Sequence, residues 1–157
     1  MSVEIKGIDE AIAPFKNIEA FLSSKKPMQG FCDGARERIL DKTARAQDYR
    51  SRKFKPYSKA YAKRKGSKHV NLRVTGRMLD AIKSLAISPE HGKVWVQPRS
   101  HGKLNADMLA QIHSTGTGKQ PQREFMNISA AGIGELVKKH YNDPIMELAR
   151  GTRTWQK

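Results

Sequence analysis

Leu72-Arg73-Val74-Thr75-Gly76-Arg77-Met78-Leu79-Asp80-Ala81-Ile82 is the stretch on which the reading of the fold turns. Val70 to Val74 reads as a strand. Thr75 is a good N-cap for a helix from Gly76 to about Ser84 that buries Met78, Leu79 and Ile82. Gly76 relieves Cβ crowding at this tight strand-to-helix junction.

Downstream, Leu85–Ser88 and Lys93–Gln97 read as strands around the turn Pro89-Glu90-His91-Gly92. In the second, Val94 and Val96 point one way and Trp95 the other. Asn105–His113 is expected as a short helix with Met108, Leu109 and Ile112 inward. Ser114–Gln122 is a Gly/Thr loop, and Arg123–Ile128 a short strand. Ser129 caps a closing helix that carries Ile133, Leu136, Val137, His140 and Tyr141. Asp143-Pro144 restarts it, with Asp143 as cap and Pro144 at the first helical position, and Gly151 ends it.

Upstream, Ile8, Ala11, Ile12, Phe15, Ile18, Phe21 and Leu22 recur at helical spacing. Pro14 removes a donor and crowds the preceding turn, so the helix starts or kinks there. A second helix from Met28 to about Ala46 places Phe31, Cys32, Ala35, Ile39 and Thr43 on one face, and the two form a hairpin. The expected architecture is α+β and a single domain, 1–157. It comprises a helical region (1–46), a basic arm (47–69), an α+β core (70–142) with a small, mostly antiparallel sheet, and a C-terminal extension (143–157).

The charge is concentrated. The 157 residues carry a net charge of +15. Residues 36–77 hold fifteen Lys/Arg against three Asp/Glu, a net of +12. Such an imbalance bears on partners rather than on fold, and nucleic acid, an anionic membrane and an acidic protein surface are all candidate counterparts. From Gln47 to Val70 periodicity is lost. Arg50, Arg52, Lys53, Lys55, Lys59, Lys63, Arg64, Lys65 and Lys68 alternate with Tyr49, Phe54, Tyr57 and Tyr61, which reads as a long basic arm with a helical turn at Ser58–Arg64. Cationic heads bind phosphate or carboxylate while tyrosines stack or anchor. A solvated charged loop is the bland alternative, and interleaved aromatics are what such a loop does not need.

Catalytic chemistry finds no foothold. Gly116-Thr117-Gly118-Lys119 fails as a phosphate loop, because His113 stands where a glycine is required and Gln120 where Ser or Thr is required. His69, His91, His101, His113 and His140 show no metal-ligand spacing, and Cys32 is the only cysteine. The acidic residues are scattered, and no nucleophile-elbow pattern is present. The expectation is a non-enzyme without cofactor or metal. The N-terminus lacks a signal-peptide pattern, and no apolar run approaches the ~20 residues of a membrane span, so a soluble intracellular product without membrane contact is expected.

The ordered motifs resemble the bacteriophage virion-morphogenesis family of tail-completion and head–tail joining proteins. Phe54-Lys55-Pro56-Tyr57-Ser58, followed by Tyr61 and Lys65, matches that family's Phe-x-Pro-Tyr-Ser stretch. Leu72, Thr75, Gly76 and Met78 match a Leu-x-x-Thr-Gly-x-(Leu/Met) element. Ala110, Ile112, His113 and Gly116 match a third, and Pro121, Arg123 and Phe125 a fourth. Each motif alone is weak, and their order over residues 28–142 is what is specific. The resemblance implies a structural virion protein of the phage neck or tail. It implies a ring, of about six copies or next about twelve, between the portal-side connector or adaptor and the tail terminator or other tail proteins, assembled in the host cytoplasm after DNA packaging. It gives Thr75, Gly76, Met78, His113, Gly116, Pro121, Arg123 and Phe125 fold roles. Arg52, Lys53, Phe54, Lys55, Tyr57, Tyr61, Lys63, Arg64 and Lys65 are the expected partner contacts, reaching a neighbour or channel DNA. Trp155, in the basic tail Arg150–Lys157, is a further docking candidate. The alternative is a free-standing, sequence-independent nucleic-acid-binding protein that uses the same arm.

Overall fold

A computed structural model describes residues 8–73, 75–101, 104–117 and 120–151. The chain is α+β: α1 (Ile8–Leu22), α2 (Lys26–Ala44), α3 (Lys59–Lys65), α4 (Arg77–Asp80), β1 (Ile82–Ala86), β2 (Gly92–Val96), β3 (Ser100–His101), β4 (Leu104–Asn105), α5 (Ala106–Thr115), α6 (Ala130–Val137), a π-helical turn (Lys138–Asn142) and α7 (Asp143–Ala149). β1 and β2 pair antiparallel, with Ile82 opposite Val96 and Ser84 opposite Val94. β3 and β4 form a second, minimal antiparallel pair.

Helix α2 is the central element. It starts with Pro27 in its first turn, where a missing amide costs nothing. Cys32, Ala35, Ile39 and Thr43 are buried at helical spacing, as the sequence predicts. Gln29, Asp33 and Arg36 meet β1: Arg36 Nε donates to the Ile82 carbonyl at 2.8 Å, the Ala86 amide donates to Gln29 Oε1 at 2.9 Å, and Ser84 Oγ to Asp33 Oδ1 at 2.6 Å. Side chains of α2 thus occupy strand groups that a two-stranded sheet leaves unpaired. Gly30 and Gly34, one turn apart on α2, admit the His140 ring; a Cβ on Gly30 would lie 2.6 Å from His140 Nδ1. Arg38 Nη2 pairs with Glu135 of α6 at 2.7 Å. α1 packs against α7 and α2. It stays helical through Pro14 and leaves Phe15 exposed.

The core gathers Ile39, Phe54, Val70, Leu72, Met78, Leu79, Ile82, Ala110 and Phe125. Ile82 and Phe125 are among the most enclosed side chains.

Several sequence expectations are corrected. Residues 70–73 form no strand. Leu72 takes φ +52°, which breaks an extended run, and its side chain enters the core. The helix after Thr75 is one turn long, and Ile82 already belongs to β1. Gly76, not Thr75, stands at its N-cap position, at φ +85°. The Arg73–Asp80 ion pair crosses over it at 2.9 Å, and a Cβ on Gly76 would lie 2.9 Å from Asp80 Oδ2. α5 turns Ala106 and Ala110 inward, leaving Met108 exposed, because small residues let it approach α4 closely. Residues 123–128 form no strand. Ser129 does cap α6, accepting from the Gly132 amide at 3.2 Å, but Ile133 faces outward. Pro144 does not restart a helix after a break. The π turn lets helix run into α7, a wider ladder that accommodates the missing amide.

Candidate partner-binding cleft

The basic segment 47–69 is laid on the core rather than projecting from it. Its first anchor is Asp48, which accepts from the Arg50 and Arg52 amides, each at 2.9 Å, and from Arg52 Nε at 2.8 Å. Burial alone raises the Asp48 pKa, but the Arg52 amide and guanidinium and the Arg50 amide outweigh it and hold the carboxyl below its usual value. Gln47 bridges Lys53, and Lys42 Nζ reaches Ser51 Oγ. Phe54 is the second anchor, 7% exposed in the core.

Arg123 is the third. It is 2% exposed, and its Nε and Nη2 donate to the carbonyls of Lys55 at 3.1 Å and Pro56 at 3.3 Å. Its guanidinium lies 4.9 Å from the centre of the Tyr57 ring. The Arg123 amide donates to the His113 carbonyl at 2.7 Å, fixing Arg123 beside the last turn of α5. Gly116 closes α5 at φ +74°, and a Cβ there would lie 2.7 Å from the Gln122 amide nitrogen.

Helix α3 follows from the sequence around it. Ser58 Oγ accepts from the Tyr61 amide at 3.3 Å, and Gly66 ends the helix in the left-handed region at φ +73°. Tyr57 and Tyr61 contact one another, ring centres 4.8 Å apart. Lys65 Nζ sits over the Tyr57 ring at 4.6 Å and donates to Asn71 Oδ1 at 2.7 Å and the His69 carbonyl at 3.0 Å. Lys65 is therefore a structural tie. Arg64 lies over Tyr61 at 5.1 Å, and Lys53, Lys55, Lys59, Lys63 and Arg64 are exposed.

These segments enclose a cleft of about 880 Å³. Tyr57, Tyr61, Thr75, Gly76, Met78, His113, Pro121 and Arg123 all line it, with Leu72, Leu104, Leu109 and Ile112. Four motifs far apart in sequence thus reach a common place. Phe54 and Phe125 stand behind it in the core, and Arg52 is engaged with Asp48. Trp155 lies outside the described residues. Leu104 and Leu109 belong to none of the four motifs and carry no basic or aromatic signal, so nothing in the sequence marks them as cleft residues.

The cleft's electrostatics are one-sided: among the described residues no Asp or Glu lines it. Burial, with Arg123 adding repulsion, lowers the His113 pKa to about 4, so the ring is neutral near pH 7. Burial likewise lowers Lys65 and raises Tyr57 and Tyr61. Among the described residues no helix is long and apolar enough to cross a membrane.

No family model, curated protein or solved structure matches the chain.

Proposed function

We propose that this protein is a structural, non-enzymatic subunit of a phage neck or tail, which completes the tail or joins it to the head after DNA packaging. The observation that carries the reading is the meeting of the four motif segments at one cleft. Residues spaced over 67 and 68 positions hold each other there through Arg123. That interdependence is what an ordered motif set would encode, and it supports treating the set as one unit rather than as chance matches. The subunit closes a ring of about six copies, or failing that about twelve, through head-to-tail contacts. Its exposed cations, Lys53, Lys55, Lys59, Lys63 and Arg64, meet acidic surfaces of the connector or tail proteins.

Mass spectrometry of purified virions tests this: the chain should be present at a ring's copy number. Its absence from virions would overturn the reading.

The same exposed cations favour a second reading, a nucleic-acid-binding protein that contacts the backbone without sequence preference. That reading requires tight binding to DNA by the isolated protein, falling steeply with salt. The structural reading requires weak binding at physiological salt.

A further inference from the structure

Arg123 is the most enclosed cation in the described structure, and it is not fully used. Its Nε and Nη2 are taken by the Lys55 and Pro56 carbonyls, whereas Nη1 has no acceptor among the described residues. His113 Nδ1, on the same cleft, is likewise without a partner. A buried guanidinium donor left unpaired is costly, and an ionised oxygen is the acceptor that satisfies it best.

A second cavity adjoins the cleft. Its volume is about 570 Å³, and it shares Pro56 and Tyr57 with the cleft and is lined by Lys59, Lys63 and Lys68. Among the described residues no Asp or Glu lines either. An apolar-walled pocket with one buried cation therefore lies beside a lysine-lined groove, with Pro56 and Tyr57 lining both.

We infer that the two cavities receive an extended acidic polypeptide segment of a partner subunit, with one carboxylate directed at Arg123. The inference rests on the structural reading above for the nature of the partner. Leu72, Met78, Leu109 and Ile112 pack apolar side chains beside that carboxylate, and the three lysines take further acidic residues as the segment leaves over Pro56-Tyr57. Polypeptide fits this pattern better than nucleic acid. A phosphodiester chain repeats its charge at every step and would set charge against the apolar walls, whereas a peptide can alternate apolar and acidic side chains. The one-sided charge gives the complementarity that selects such a partner.

The test is calorimetric titration of the intact chain with the capped peptide Leu-Glu-Leu-Asp-Asp-Glu. Comparisons are its Leu-Gln-Leu-Asn-Asn-Gln counterpart and oligothymidylate of equal charge. The acidic peptide should bind at least about tenfold tighter than the amide peptide, and tighter than the oligonucleotide. Replacing Arg123 endangers the fold, so the decisive variant is Leu104→Asp. Leu104 is 37% exposed on the cleft wall, and a carboxylate there should weaken the acidic peptide by about tenfold. Leu85→Asp, exposed outside both cavities, should not. Equal affinity for the amide peptide, preference for the oligonucleotide, no peptide binding, or indifference to Leu104→Asp would each overturn the inference. Those outcomes concern the purified chain alone, so they are separable from failure of the virion reading, which is decided on particles.

Discussion

The Nε of Arg123 donates to the Lys55 carbonyl at 3.1 Å, across 68 positions of sequence. With the companion bond to Pro56, this contact holds the basic segment against the core. Removing the guanidinium leaves two carbonyls short of a donor and a void beneath Tyr57. Arg123→Ala should cost about 3 kcal/mol in urea unfolding. Trypsin should then cut the native-state segment at Lys53 or Lys59 much faster than in the wild type. An unchanged digestion pattern would mean that Phe54 and Asp48 suffice to hold it.

Gly116 cannot carry a side chain without strain. Its φ of +74° disfavours any L-residue, and a Cβ would meet backbone, the Gln122 amide nitrogen at 2.7 Å, which cannot rotate away. Gly116→Ala should lose about 2–3 kcal/mol of stability. Gly134, with open space around it inside α6, should tolerate alanine and gain up to about 1 kcal/mol from helix propensity. Parallel thermal melts of the two variants check both signs.

His113 ties stability to pH. Its pKa falls from 6.5 to about 4 in the folded protein, so the unfolded chain binds the proton more tightly. Its contribution is present in full above pH 6.5 and is lost as pH falls from there through about 4, amounting to roughly 3 kcal/mol. His140 is lowered too, chiefly by burial, and acts in the same direction. Asp48, lowered from 3.8, adds its loss only at more acidic pH. Denaturant midpoints between pH 7.5 and 4.5 should fall steeply for the wild type and less steeply for His113→Gln. Parallel curves for the two proteins would contradict the assignment.

How much of this was legible beforehand differs by element. α2 and the Ser129 cap follow from apolar spacing and cap chemistry, which act locally; of the β1–β2 hairpin the turn and second strand do, but the first strand, expected at Leu85–Ser88, runs instead from Ile82 to Ala86. Leu72 at φ +52° and the one-turn α4 do not, because their geometry is imposed by the core that receives Leu72 and Ile82. Lys65 illustrates the limit for the site. In sequence it is one more cation of a charge run; in the fold it is tied to Asn71, His69 and Tyr57. The motif order pointed to Arg123 and His113, but no periodicity indicates that they share a cleft with Tyr57.

That distinction decides which cations to remove. Lys59→Ala, Lys63→Ala and Arg64→Ala combined should leave stability within about 0.5 kcal/mol, since all three are exposed and Arg64's contact with Tyr61 is at the surface. The same triple variant should fail to enter virions. Lys65→Ala should instead lower the melting temperature. Normal incorporation of the triple variant would remove the basic segment from the assembly contacts.

The most direct test is electron microscopy of lysates from a phage that lacks this gene. The account predicts DNA-filled heads lying beside separate, finished-looking tails. Ordinary infectious virions with joined tails would contradict it.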